Sequence, residues 1–108
     1  MSSVEIEIVG YIAKEPETRY NEKGDQYMTF SVPHDNYKGE MEWYNCSLWG
    51  EKRISSLDWL AKGMGVFIRG TLNITEKEGK IYRNVMVDKL QVMSGKKQNV
   101  SQDEDMSF

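Results

Sequence analysis

E-W-Y-N-C-S-L-W-G, residues 42–50, decides how the rest of the chain reads. Along a strand, successive side chains go to opposite faces. Tyr44, Cys46 and Leu48 then share one face, which reads as buried. Trp43, Asn45, Ser47 and Trp49 share the other, which is polar apart from two indoles. A tryptophan at a strand end can pack under a loop or a second subunit. Two of them on a face otherwise made of Asn and Ser are what a surface needs if flat, unsaturated rings are to stack on it.

The segments on either side keep the same alternation. In residues 4–12, Val4, Ile6, Ile8, Gly10 and Ile12 fall on one face, and Glu5, Glu7, Val9 and Tyr11 on the other. Glu15-Pro16 interrupts, and residues 18–20 can pair briefly before a turn at 21–25. Residues 26–32 make a second strand, with Met28, Phe30 and Val32 inward and Tyr27, Thr29 and Ser31 outward. A polar loop containing Tyr37 and Gly39 leads into the tryptophan strand. Beyond Gly50 the period changes. Ile54, Leu57 and Ala61 recur at helical spacing, which predicts a helix of about three turns ending near Gly63, with Trp59 packed against the body.

Residues 66–74 alternate again: Val66, Ile68, Gly70, Leu72 and Ile74 point in, and Phe67, Arg69, Thr71 and Asn73 point out. Gly70 inside a strand signals a bulge or bend. Glu78-Gly79 reads as a hairpin tip, with strands at 81–87 and 89–93 returning. The order is strand, strand, strand, helix, strand, strand. That is the arrangement of the OB-fold, an all-β, five-stranded Greek-key barrel with one short helix between its third and fourth strands. Residues 1–94 are expected to form this domain, 95–102 a short polar linker, and 103–108 an acidic tip.

Composition narrows the function. The chain has 108 residues, enough for one domain. One cysteine and one histidine cannot build a Cys/His zinc site, and a single cysteine cannot close an internal disulfide. Cys46 falls on the buried face, where a thiol is inert. No nucleophile–base pair or phosphate-cradling loop is readable, so neither an enzyme nor a metal or cofactor protein is expected. No secretory signal or apolar run of membrane-spanning length is present, which points to the cytoplasm. The net charge is −3. Asp103, Glu104 and Asp105 lie beyond the last basic residue, Lys97, so the tail accounts for that whole charge and the body is balanced.

Outward aromatics occur on several strands: Trp43, Trp49, Tyr27, Phe67 and Tyr82. Cations lie near them: Lys38 in the loop, Lys52 and Arg53 after the tryptophan strand, Arg69, Lys77 and Lys80 at the hairpin, and Arg83. Aromatic rings stack bases with little regard to identity, and Lys and Arg neutralise phosphates. A duplex hides its base faces, so this chemistry selects single strands. Glu5 and Glu7 would repel a backbone passing the first strand.

Four segments resemble the bacterial and phage single-stranded DNA-binding proteins: I-V-G-Y-I-A-K-E-P-E-T-R-Y at 8–20, M-E-W-Y-N-C-S-L-W-G at 41–50, W-L-A-K-G at 59–63 and V-F-I-R-G-T-L at 66–72. The resemblance implies stacking at Trp43 and Trp49, a loop aromatic near Tyr37, and a non-catalytic role in DNA replication, recombination and repair. It implies a homo-oligomer, a tetramer at one OB-fold per chain, with the first strand as an interface. D-E-D-M-S-F at the end resembles the family's acidic tip, so Asp103, Glu104, Asp105, Met106, Ser107 and Phe108 are expected to dock replication or repair proteins. The tip has Met-Ser-Phe where Ile-Pro-Phe is usual, and Lys77 stands where a hairpin aromatic is common. A bacterial or a phage protein fits equally. An OB module for protein or RNA binding in a replication complex is the competing reading.

Overall fold

The computed structural model describes residues 3–96. The elements are β1 (Val4–Tyr11), β2 (Glu17–Tyr20), β3 (Gln26–Asp35), β4 (Met41–Trp49), α1 (Glu51–Ser55), β5 (Met64–Lys77) and β6 (Lys80–Lys96). They form one sheet in the order β1-β5-β6-β4-β3-β2. Neighbours are antiparallel except β4 and β6, which run parallel from Tyr44↔Arg83 to Ser47↔Met86. α1 and the turns after it carry the chain between β4 and β5, across the end of the sheet. No helix among the described residues is long and apolar enough to cross a membrane.

The expected OB arrangement is present with corrections. There are six strands, not five: residues 17–20 form a full edge strand on β3. β2 is short, solvent-exposed and charged at Glu17 and Arg19, which suits an unpaired edge. The sheet does not close into a barrel. Between β1's end and β3 there is one backbone bond, Ala13 N–H to the Ser31 carbonyl at 3.0 Å. Lys14-Glu15-Pro16 then leads the chain away, and Pro16 has no N–H to extend a ladder.

The helix is five residues long rather than about three turns. Ser56 explains the early end, because its hydroxyl donates to the Arg53 carbonyl at 2.7 Å. Such local bonds compete with helix propagation. The chain continues through tighter turns, Leu57 N–H to the Ile54 carbonyl and Leu60 N–H to the Leu57 carbonyl, both 3.0 Å. Trp59 therefore stays 50% exposed instead of packing on the body. Its indole N–H donates to the Ser56 carbonyl at 2.8 Å.

β5 and β6 pair along their whole length and project as a hairpin arm. Lys77↔Lys80 closes it around Glu78 and Gly79, with φ of 53° and 80°. Two positive φ values are the type I′ geometry that matches the twist of a two-residue hairpin. The expected break between residues 87 and 89 is a bulge within one strand: Arg69 faces Lys89 and Gly70 faces Val87, which leaves Asp88 over. A Cβ at Gly70 would run into the Met86 carbonyl oxygen and come within 2.8 Å of Val85 Cγ1. Only glycine permits that approach.

The core lies on one face of the sheet. Ile8, Phe30, Val32, Leu48, Ile68 and Val85 are among its buried members, and Ile54 caps it from α1. The other side of β3, β4 and β6 faces out, and it carries the candidate site.

Candidate nucleic-acid interface

β4 alternates as its sequence predicts. Cys46 and Leu48 are buried, whereas Trp43 is 45% exposed and Trp49 half-buried on the opposite face. The β3–β4 register sets Tyr27 opposite Trp49, and their rings stack with centroids 4.5 Å apart at 23°. β2 extends the row with Arg19 opposite Tyr27. Among the described residues no aromatic ring stacks on Trp43, whose cross-strand neighbour is the buried Pro33. The two indoles therefore differ: one is stacked on a tyrosine, and the other lies opposite a proline with 45% of its surface exposed. Six residues of strand separate them, roughly 20 Å.

The loop after β3 is built on Asn36. Its side-chain oxygen accepts from the N–H groups of Lys38 at 2.8 Å and Glu40 at 3.0 Å. This Asx turn pushes Tyr37 into solvent at 93% exposure, with the Lys38 ammonium 5.8 Å from its ring centre. On the arm, Tyr82 pairs with Thr75 and Lys77 with Lys80, on the same face as Asn84 and Met86. Tyr37 and Lys38 thus stand near the Trp43 end of β4, whereas Lys77 and Tyr82 rise from the arm.

Other expected cations are already engaged. Arg53 donates from Nη2 to the Asp88 carbonyl at 2.9 Å and the Val87 carbonyl at 3.3 Å, which ties α1 to the β6 bulge. Arg69 pairs with Glu7 across β1–β5 at 3.1 Å. With Phe67, it lies on the stretch of β5 beyond the bulge, past the last β4–β6 pair. Arg83 meets Glu42 at 3.6 Å. Its register partner is Tyr44, so it belongs to the side of the sheet opposite Trp43. Lys52 is exposed on α1. Residues 103–108 lie outside the described residues.

Alternation alone missed three things: the Tyr27–Trp49 stack, Arg19 beside it, and the continuity of a polar floor between the indoles. All three depend on cross-strand register, which no single segment reveals. Burial pushes the Cys46 thiol up to about 12, so it is a neutral core group and no nucleophile.

An open OB sheet with two outward indoles above a polar floor, one of them stacked on a tyrosine, defines a binding module, whose face does contact chemistry rather than bond chemistry. A family model described as the single-strand binding protein family matches residues 4–98. The single-stranded DNA-binding protein of Thermosynechococcus vestitus is 24% identical over 100 residues, covering 85% of this chain and 83% of that one. That of Chlamydia pneumoniae is 29% identical over 68 residues, covering 60% of this chain and 42% of that one, so the alignment spans less than half of this relative. Among solved structures, a mitochondrial single-stranded DNA binding protein from S. cerevisiae has a TM-score of 0.70 at 20% identity, covering 87% of this chain and 98% of that one. At that identity the likeness is one of fold. The chain belongs to the single-strand binding protein family, whose members are non-enzymatic DNA-binding proteins.

Proposed function

We propose that this chain coats single-stranded DNA without sequence preference, protecting it during replication, recombination and repair. Bases stack on Trp43 and on the Trp49–Tyr27 pair. Tyr37 and Tyr82 extend the stacking surface at its rims. Lys38, Lys52 and Lys77 neutralise phosphates, and Arg19, already paired with Glu17 on the exposed edge strand, borders their path. Arg53, Arg69 and Arg83 hold the scaffold through the partners they already have. The observation that carries this reading is the pair of outward indoles on one polar strand face, one held in place by a stacked tyrosine. The strand avoids β1, where Glu5 and Glu7 would repel it. Val9 and Tyr11 on that strand suit a contact between copies, and the working assembly is a homotetramer. Asp103–Phe108 docks replication or repair proteins.

The test is a fluorescence titration with oligo-dT. Tryptophan emission is expected to fall strongly on binding, and affinity to drop as salt rises, because phosphate contacts release counterions. Deleting residues 103–108 should leave that affinity equal or higher. Absence of quenching, or equal competition by duplex, would contradict the reading. Tighter binding of oligo-rU than oligo-dT would favour an RNA role.

A further inference from the structure

Between the two indoles the face offers no ring for a base to stack on. It carries instead a polar row, one residue per strand: Ser31 on β3 opposite Asn45 on β4, Asn45 opposite Asn84 on β6, and Asn84 opposite Asn73 on β5. Asparagine is depleted in strands, where Thr or Val fits better. Three of them side by side on adjacent strands break a local preference that the fold has no need to break. Asn84 donates to Thr75 Oγ1 at 3.3 Å. The amides of Asn45 and Asn73 have no hydrogen-bond partner among the described residues. Two shallow grooves, of about 370 and 550 Å³, meet over this row and share Ser47 and Asn84. The first has Lys14 and Arg19 on its outer wall, along with Glu15 and Glu17.

A strand engaged at both indoles crosses this row at Asn45, and Asn84 and Asn73 continue it one and two strands, roughly 5 and 10 Å, to the side. We propose that the Asn45–Asn84–Asn73 row holds the crossing bases by their Watson–Crick edges. The inference rests on the DNA-coating reading above and gives the middle of that face its own chemistry. A carboxamide presents an acceptor oxygen beside two donor hydrogens. Unpaired thymine offers N3–H beside O4, cytosine N4–H beside N3, adenine N6–H beside N1, and guanine N1–H beside O6. Each is a donor next to an acceptor, so one amide satisfies any of the four. The row is tolerant of base identity but requires an edge that is not already paired. Single-strand selectivity then comes from two sources: stacking at the ends and edge recognition in the middle.

N3-methylthymidine separates the two. It keeps thymine's ring and the phosphate charge but replaces N3–H with a methyl group. The wild-type protein should bind an oligomer of N3-methylthymidine roughly 5- to 50-fold more weakly than oligo-dT, the loss of about two hydrogen bonds. The Asn45→Ala/Asn73→Ala double variant should bind oligo-dT at the weaker level and no longer discriminate. Both positions are exposed, and far-UV circular dichroism checks that the variant folds. If it does not fold, the two-oligomer comparison on wild type decides alone. Equal wild-type affinity for both oligomers overturns the role of the row and leaves the DNA-coating reading standing. Failure to bind either oligomer overturns that reading and this one together.

Discussion

Trp43 and Trp49 stand on one strand face, yet they meet a nucleobase differently. Trp49 already has Tyr27 against it, so its orientation is fixed before anything binds, and less freedom is lost on contact. Trp43 has no aromatic ring against it among the described residues and lies opposite the buried Pro33 instead. Their neighbour Cys46 points the other way, and its chemistry follows from that. Its thiol titrates near 9.0 in the unfolded chain and at about 12 in the folded one. Because the folded value is raised, this group's contribution to stability is complete below about pH 9. It is lost progressively as pH climbs toward 12. Urea midpoints measured from pH 8 to pH 11 should therefore fall more steeply for wild type than for Cys46→Ala, which starts lower because of the cavity it leaves. Parallel slopes would mean that the thiol is not buried. The outward indoles were legible from strict alternation within one segment. The stacked tyrosine was not, because the register between β3 and β4 is set by the loop joining them.

At the scale of elements, the bulge in β6 links packing to site. It leaves Asp88 over and exposes two carbonyls that Arg53 fills from α1, while the tip projects as an arm because β5 and β6 outrun their pairing with β1 and β4. Gly70→Ala should destabilise the protein by about 1–3 kcal/mol, since its Cβ would meet backbone that cannot yield. Denaturant unfolding reads this directly, and an unchanged midpoint would mean that the bulge relaxes freely. Gly70 and the Glu78-Gly79 tip were both readable from composition and alternation, because turn and bulge chemistry is local. The helix was overread. Ile54, Leu57, Leu60 and Ala61 do recur near helical spacing, but a string of tight turns buries the same positions. Ser56 tips the balance with a bond to backbone that hydrophobic periodicity does not register. The partners of Arg53 and Arg69 lie about 35 and 62 residues away in the chain, beyond the reach of any local pattern.

At the scale of the molecule, charge and surface divide the labour. The acidic excess resides in the last six residues, and the body is balanced. Attraction for DNA therefore cannot come from net charge and must come from local geometry: indoles on one face and lysines at its rims. Stacking accounts for affinity in this scheme, so removing a ring should matter more than removing a peripheral cation. The most direct measurement is the dissociation constant for oligo-dT of Trp43→Ala and Trp49→Ala beside wild type, with circular dichroism to establish that each variant is folded. Loss of one stacked base is worth about 1–3 kcal/mol, which is roughly 5- to 140-fold in Kd. The account predicts a loss in that range for each variant, whereas two folded variants that bind as tightly as wild type would contradict it.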